Sequence, residues 1–271
     1  MEKLSSKKTY CLPPFLLSPL FFLAGAIALI LFSALQKILV GRADMIFQLE
    51  GYLIPVFYGG MTGTLLGLWY QRLKKNETDL LHAYDETLTG WAKAIEMRDK
   101  VTDDHTHRVV VLVENLARTM QVPEEDLVHL RRGALLHDTG KIGIPDAILS
   151  KPGQLTDEER SIMQQHPGHA KQMLEEIVFL EPALCIPCCH HERWDGSGYP
   201  NGYKGEGIPL AARIFAVVDV WDALTSDRPY RKAWSQKDAL KYIEENAGKL
   251  FDPDVTRAFS SYIRPHINSL S

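Results

Sequence analysis

The stretch Leu135-Leu136-His137-Asp138-Thr139-Gly140-Lys141 decides how this chain is read. Its apolar pair closes a helical run that opens near Glu124, and Gly140 is a good helix stop. Adjacent His and Asp at a helix end point about 100° apart, so both reach one cavity. A ring nitrogen beside two carboxylate oxygens suits divalent metals such as Fe or Mn. Lys141, one turn on, can hold a phosphate oxygen as a point charge. Most His-Asp pairs are only helix-end chemistry, so the string needs company.

It has company. Eight of the ten His fall between His105 and His191. His190-His191 follow an apolar helix and open the string Glu192-Arg193-Trp194-Asp195-Gly196-Ser197-Gly198-Tyr199-Pro200. In Ala216-Val217-Val218-Asp219-Val220-Trp221-Asp222, Asp219 sits among apolar residues, where a carboxylate is costly unless paired or metal-bound. Asp222, one turn on, suits either an outer acceptor behind a ligand or a pair with Arg213. His105 and His166 are single His near helix ends, unremarkable alone. His107 lies on a different helix face from His105, and His82, His129, His169 and His266 read as surface residues. Cys185, Cys188 and Cys189 have no second Cys pair at zinc-site spacing and read as small apolar core residues.

Around these strings the periodicity is helical. Apolar residues at 80, 81, 84, 88, 91, 92 and 95 predict a connecting helix with a near-heptad stripe. Further helices are expected over 104–121, 124–137, 156–166, 169–177, 182–190, 210–225, 235–246 and 254–262, several with start signals such as Thr156-Asp157-Glu158-Glu159. No alternating strand pattern of useful length occurs. Asp195 to Ile208 holds five Gly and one Pro and reads as a structured loop.

The amino-terminal part differs. Thr9 to Gln36 is a run of 28 residues without charge, and Gly51 to Gln71 a second of 21. A bilayer core needs about 20 apolar residues as helix, so two spans are expected, about 15–35 and 51–71. The first exceeds the roughly 7–15 residues of a signal-peptide apolar region. Lys3, Lys7, Lys8 before the hairpin and Arg72, Lys74, Lys75 after it place both termini in the cytoplasm, although Lys37 and Arg42 sit in the intervening loop. Gly59, Gly63 and Gly67 share a helix face. Small residues at that spacing let two membrane helices approach closely, either the second span on the first or two copies as a homodimer. In the homodimer alternative the connecting helix, whose stripe barely reaches three heptads, would be a second contact.

The whole chain of 271 residues is 45% hydrophobic with net charge −4. That average resembles an ordinary soluble globule, excludes a disordered chain or disulfide scaffold, and argues against DNA or RNA as partner. It mixes two halves. Residues 1–71 hold five of the 30 Lys+Arg and three of the 34 Asp+Glu, leaving 25 and 31 to residues 72–271. The expected organisation is a membrane hairpin over 1–71, a connecting helix over 72–90, a catalytic domain over 91–262 and a tail over 263–271. The domain lies in the cytoplasm beneath the inner membrane.

Taken together, His137 to Asp146, Lys151-Pro152-Gly153, the string from His190 to Pro200 and Asp222-Ala223-Leu224-Thr225-Ser226-Asp227-Arg228-Pro229-Tyr230-Arg231 resemble the HD-GYP family of cyclic di-GMP phosphodiesterases. The likeness spans roughly Trp91 to Phe259; the hairpin is not part of it. It implies an all-α, HD-type helical bundle with an extended GYP loop, here preceded by two transmembrane helices. It implies two divalent metal ions, Fe or Mn, held by His105, His137, Asp138, His166, His190, His191 and Asp219, with Asp138 bridging. Lys141, Arg228 and Arg231 fall where the family contacts substrate phosphate, which makes Asp138 and Lys141 the expected catalytic residues. The GYP loop, with Asp195, forms the rim and is implicated in partner contacts, a diguanylate cyclase among them. Some members hold a third metal through a Glu four residues before the first ligand His. Val101 stands there, which favours two metals and pGpG rather than GMP as product. A metal-bridging hydroxide would be the nucleophile, since two cations about 4 Å apart stabilise attacking and leaving oxygens together. The competing readings are a phosphohydrolase for another cyclic dinucleotide and a non-catalytic receptor or scaffold.

Overall fold

The computed structural model describes residues 14–46, 48–99, 105–227 and 231–268. The regular elements among them are helices, with an isolated bridge between Ala247 and Phe251. The chain divides into two compact units, Met1–Ala83 and Tyr84–Ser271.

In the first unit, α1 (Pro14–Leu39) packs on the start of α2 (Leu53–Asp99). The contact is made by glycines. A Cβ on Gly25 would collide with the Gly59 carbonyl and stand 2.9 Å from the Gly63 Cα, and a Cβ on Gly63 would collide with the Phe21 carbonyl. Only residues without a side chain allow two backbones so close. Within this chain the face of Gly59, Gly63 and Gly67 packs on α1, the first of the two arrangements expected from the sequence. Pro19–Leu39 is long and apolar enough to cross a membrane, and 6% of its most apolar window is buried. Among the described residues it is the one helix that meets that test. The second expected span is helical but forms the opening of α2.

α2 also differs from expectation by its length. It runs unbroken for 47 residues, so the second span and the connecting helix are one element. A change from apolar to charged side chains at Arg72 alters what the helix faces, not its backbone hydrogen bonds. Within the second unit, Leu88 packs with Leu136, Leu174 and Leu180. Asp85 meets the buried Arg132 at 2.7 Å. The heptad stripe is thus partly used within the chain, while Tyr84 and Trp91 remain exposed.

The second unit is built on α3 (His105–Thr119), α4 (Glu124–Leu136), α5 (Asp146–Leu149), α6 (Asp157–Met163), α7 (His166–Leu174), α8 (Cys185–Cys189), α9 (Leu210–Thr225), α10 (Gln236–Glu245) and α11 (Pro253–Asn268). α9 is apolar nearly all round and buries Ile214, Phe215, Val217, Val218 and Trp221, as expected of a central helix. α3 lays Val109, Val113 and Leu116 on it, and α10 and α11 close the core with Ile243, Val255 and Phe259. Each such side chain contributes roughly 1.5–3 kcal/mol by burial. α6 starts on a capping box between Thr156 and Glu159. α11 continues to Asn268 with Ile263 and Ile267 buried. Their i, i+4 spacing carries the core stripe into what was expected to be a tail.

Candidate metal centre

Five helices deliver the site. His137 caps α4, and Asp138 opens the 3-10 turn Thr139–Gly143. His166 is the first residue of α7, His190 caps α8 with His191 next, Asp219 lies on α9, and His105 begins α3. Gly140 brings two of these together. A Cβ there would collide with the His166 carbonyl and stand 2.6 Å from the Ala170 nitrogen. Glycine lets the first turn of α7 lie directly on the turn that carries Asp138.

Four of the histidines are oriented the same way. Nδ1 of His137 lies 2.8 Å from the Ala134 carbonyl, that of His166 2.8 Å from the Met163 carbonyl, and that of His190 3.1 Å from the Ile186 carbonyl. A carbonyl only accepts, so each Nδ1 carries the hydrogen and each Nε2 keeps its lone pair for the cavity. His105 does the same through the carboxylate of Asp222 at 2.7 Å. Asp222 is gripped in turn by Arg108 Nε at 2.6 Å. Arg213 pairs with Asp252 at 2.6 Å instead, so Asp222 takes the outer-acceptor role.

The ligand atoms form two groups. Those of His166, His190 and His191 lie within 4.8 Å of one another, as do those of His105, His137 and Asp219. Asp138 stands between them. Its Oδ2 is 3.1 Å from His137 Nε2, and its Oδ1 is 3.7 Å from His166 Nε2 and 4.0 Å from His190 Nε2. All seven residues expected as ligands are therefore brought to one place. Nitrogen and carboxylate donors in two triads joined by a carboxylate suit a pair of borderline divalent cations.

The electrostatics agree. Burial alone would raise the Asp138 carboxyl, but the charges of His137 and Lys141 outweigh it and hold the group well below the usual range. Burial keeps His166 and His190 below their ordinary values and pushes His191 down to about 3, so these rings stay neutral and able to ligate. Burial would also lower His137, but Asp138 outweighs it and the ring is raised.

Lys141 is held between two carboxylates, Asp99 Oδ2 at 2.6 Å and Asp138 Oδ2 at 2.7 Å. The Tyr199 ring lies over His191 with centroids 4.7 Å apart. Glu192, buried, accepts the backbone N–H groups of Asn201 and Tyr203 at 2.8 and 3.1 Å and so holds the GYP loop. Arg231 donates to the Ala223 carbonyl and lies over the Trp234 ring. Its described contacts are thus to α9 and Trp234 rather than to the histidines. Arg228, Val101 and the amino-terminal lysines lie outside the described residues. Asp99 and Arg108 were not singled out from the sequence, and Glu192 entered only as part of the string that follows His191.

A sequence model of the HD domain matches residues 90–255. The chain belongs to the HD domain family. It is 43% identical over 185 residues to the cyclic di-GMP phosphodiesterase response regulator RpfG of Xanthomonas campestris, covering 68% of this chain and 49% of that protein. It is 36% identical over 203 residues to the 3'3'-cGAMP-specific phosphodiesterase 3 of Vibrio cholerae, covering 74% and 44%. The chain spans about half the length of these curated relatives. The crystal structure of a cyclic GMP-AMP specific phosphodiesterase of V. cholerae shares the fold at a TM-score of 0.53 and 21% identity, over 68% of this chain and 50% of that one.

Proposed function

We propose that this HD domain hydrolyses cyclic di-GMP to pGpG with two divalent metal ions, Fe or Mn, and is anchored in the inner membrane. The observation that carries the reading is Asp138, whose two oxygens face two separate three-ligand groups while Lys141 sits beside it. His105, His137 and Asp219 would hold one cation and His166, His190 and His191 the other, with Asp138 shared. When bound, such a pair supplies positive charge for in-line displacement at phosphorus and lowers the pKa of water. The chain's own residues do the rest. The Nδ1 contacts lock the rings, so the ligand set is ordered before it binds. Lys141 lies where it can meet a phosphate oxygen and offset charge as the ester opens, and Arg228 and Arg231 are proposed to serve the same phosphate. Tyr199 and the GYP loop wall off the His191 side. Val101, in place of a third-metal Glu, supports two cations and pGpG as product.

The anchor is proposed as a hairpin of α1 and the apolar start of α2, with the HD domain in the cytoplasm. The apolar Pro19–Leu39 and its glycine contact with α2 support it. A second reading, a phosphodiesterase for 3'3'-cGAMP, is favoured by the 36% identity to a protein of that name.

The full chain in detergent micelles, loaded with Mn(II) or Fe(II), would be given cyclic di-GMP and 3'3'-cGAMP in separate reactions. The reading expects faster turnover of cyclic di-GMP and pGpG as the product on mass analysis. Preference for 3'3'-cGAMP would support the second reading. No turnover of either with either metal would overturn both.

A further inference from the structure

The last turn of α2 ends against the HD turn and grips it at several points. Asp99 Oδ2 receives the Lys141 ammonium at 2.6 Å. Arg98 donates from Nη1 to the Lys141 carbonyl at 2.9 Å and from Nη2 to the Ile144 carbonyl at 2.7 Å. Its Nε and Nη2 also reach Asp146 Oδ1 at 3.0 and 2.7 Å. Both ends of Lys141, side chain and backbone, are therefore held by neighbouring residues of one helix.

A carboxylate beside a site for an anionic phosphodiester is unfavourable unless it does something else. Lys141 has three N–H donors on a flexible four-carbon stem. Asp138 takes one, but Asp138 is also the residue whose two oxygens face both ligand triads. With its oxygens given to cations, it becomes a weaker partner for the ammonium. Asp99 faces no ligand histidine in any described contact and stays available. Its side chain is 12% exposed and that of Lys141 17%, so the pair is poorly screened by water.

We infer that Asp99 is a positioning residue that acts through Lys141. It holds the ammonium beside the metal centre with a donor left for a substrate phosphate oxygen, and Arg98 fixes the backbone of the same turn. This rests on the proposed phosphodiesterase reading.

A double-mutant cycle on the full chain in micelles tests it, using Asp99→Asn, Lys141→Met and the pair. The Mn(II)-loaded Asp99→Asn protein is expected to lose about 10- to 100-fold in kcat, the scale of a misplaced catalytic group. KM should change by less than about 3-fold, because a residue that only places the Lys141 ammonium acts on the reacting phosphate rather than on binding of the rest of the substrate. In the Lys141→Met background the same substitution should cost less than about 3-fold, since residues acting as a unit are not additive. Asp99→Glu should recover part of the loss. Bound Mn should remain at two per chain, and inorganic phosphate titrated calorimetrically should weaken equally for either single variant and the double. An unchanged kcat in Asp99→Asn, full additivity in the cycle, or loss of a metal ion from Asp99→Asn would overturn the inference. A wild-type chain inert toward cyclic dinucleotides would instead sink the proposed function. The phosphate cycle would still decide the Asp99–Lys141 relationship.

Discussion

Nδ1 of His105 lies 2.7 Å from a carboxylate oxygen of Asp222, while Nε2 of the same ring faces Asp219 at 3.7 Å. Asp222 is buried and does not face the cavity itself; it sets which nitrogen of His105 does. Removing it frees the ring to rotate or change tautomer. Asp222→Ala is expected to weaken metal binding about 10- to 100-fold, the usual scale for a partner behind a ligand. It also leaves the Arg108 guanidinium without its closest described carboxylate. Competitive titration of Mn(II) against a fluorescent chelator would read the loss. An unchanged affinity would show that His105 is held some other way.

Asp138→Asn keeps the shape of the side chain but gives each triad a weaker donor and removes the shared charge. Its two oxygens face different histidine groups, so one substitution should lower occupancy at both. Metal analysis should show fewer than two Mn per chain, and turnover should fall at least about 1000-fold, as for loss of a metal-centre group that stabilises several kcal/mol of developing charge. Retained turnover with both metals bound would rule out a bridging role.

The seven expected ligands were legible to different degrees, and the reasons are physical. His137-Asp138 and His190-His191 are visible because adjacency at a helix end is itself a geometry. Asp219 is visible because a carboxylate within an apolar helical run needs a reason. His105 and His166 have no such mark. They became candidates only through the resemblance, since the atoms that orient His137, His166 and His190 are backbone carbonyls of Ala134, Met163 and Ile186. Every residue has a carbonyl, so no side-chain spacing records that contact. Asp99 and Arg98 carry no mark in the sequence because their partners lie more than 40 positions on. The continuity of α2 was hidden for a similar reason: the charge change at Arg72 resembles a boundary, and backbone hydrogen bonds cross it unaffected.

Acid should destabilise the metal-free protein. Burial keeps His166 and His190 below the ordinary histidine value and His191 at about 3. Below about pH 6.5 the unfolded chain takes up protons that these folded rings refuse, so stability is lost as pH falls from there toward 3. Each such ring removes up to about 1.4 kcal/mol per pH unit within its window. His137 is raised and acts in the opposite sense, but it is one ring against three. Thermal melts followed by tryptophan fluorescence on chelator-treated protein should show a falling midpoint between pH 7 and 4.5. A flat or rising midpoint would contradict the buried neutral cluster.

Gly140→Ala tests how the two triads are joined. The added methyl would meet the His166 carbonyl and the Ala170 nitrogen, both backbone atoms of α7. Neither can swing aside as a side-chain tip does, so α7 must lift from the turn at roughly 1–3 kcal/mol. For a domain of about 200 residues that is a fall of roughly 2–4 °C in Tm per kcal/mol. The effect on the site should be uneven. His166 moves with α7, and the His166, His190 and His191 group loosens. His105 and Asp219 stand on α3 and α9, which Gly140 does not touch in the described contacts, so the other group should persist. Metal analysis of the variant is expected to give close to one Mn per chain, with turnover falling more steeply than stability. Two fully occupied sites with normal turnover would mean that the close approach of α7 is not what sets the spacing of the triads.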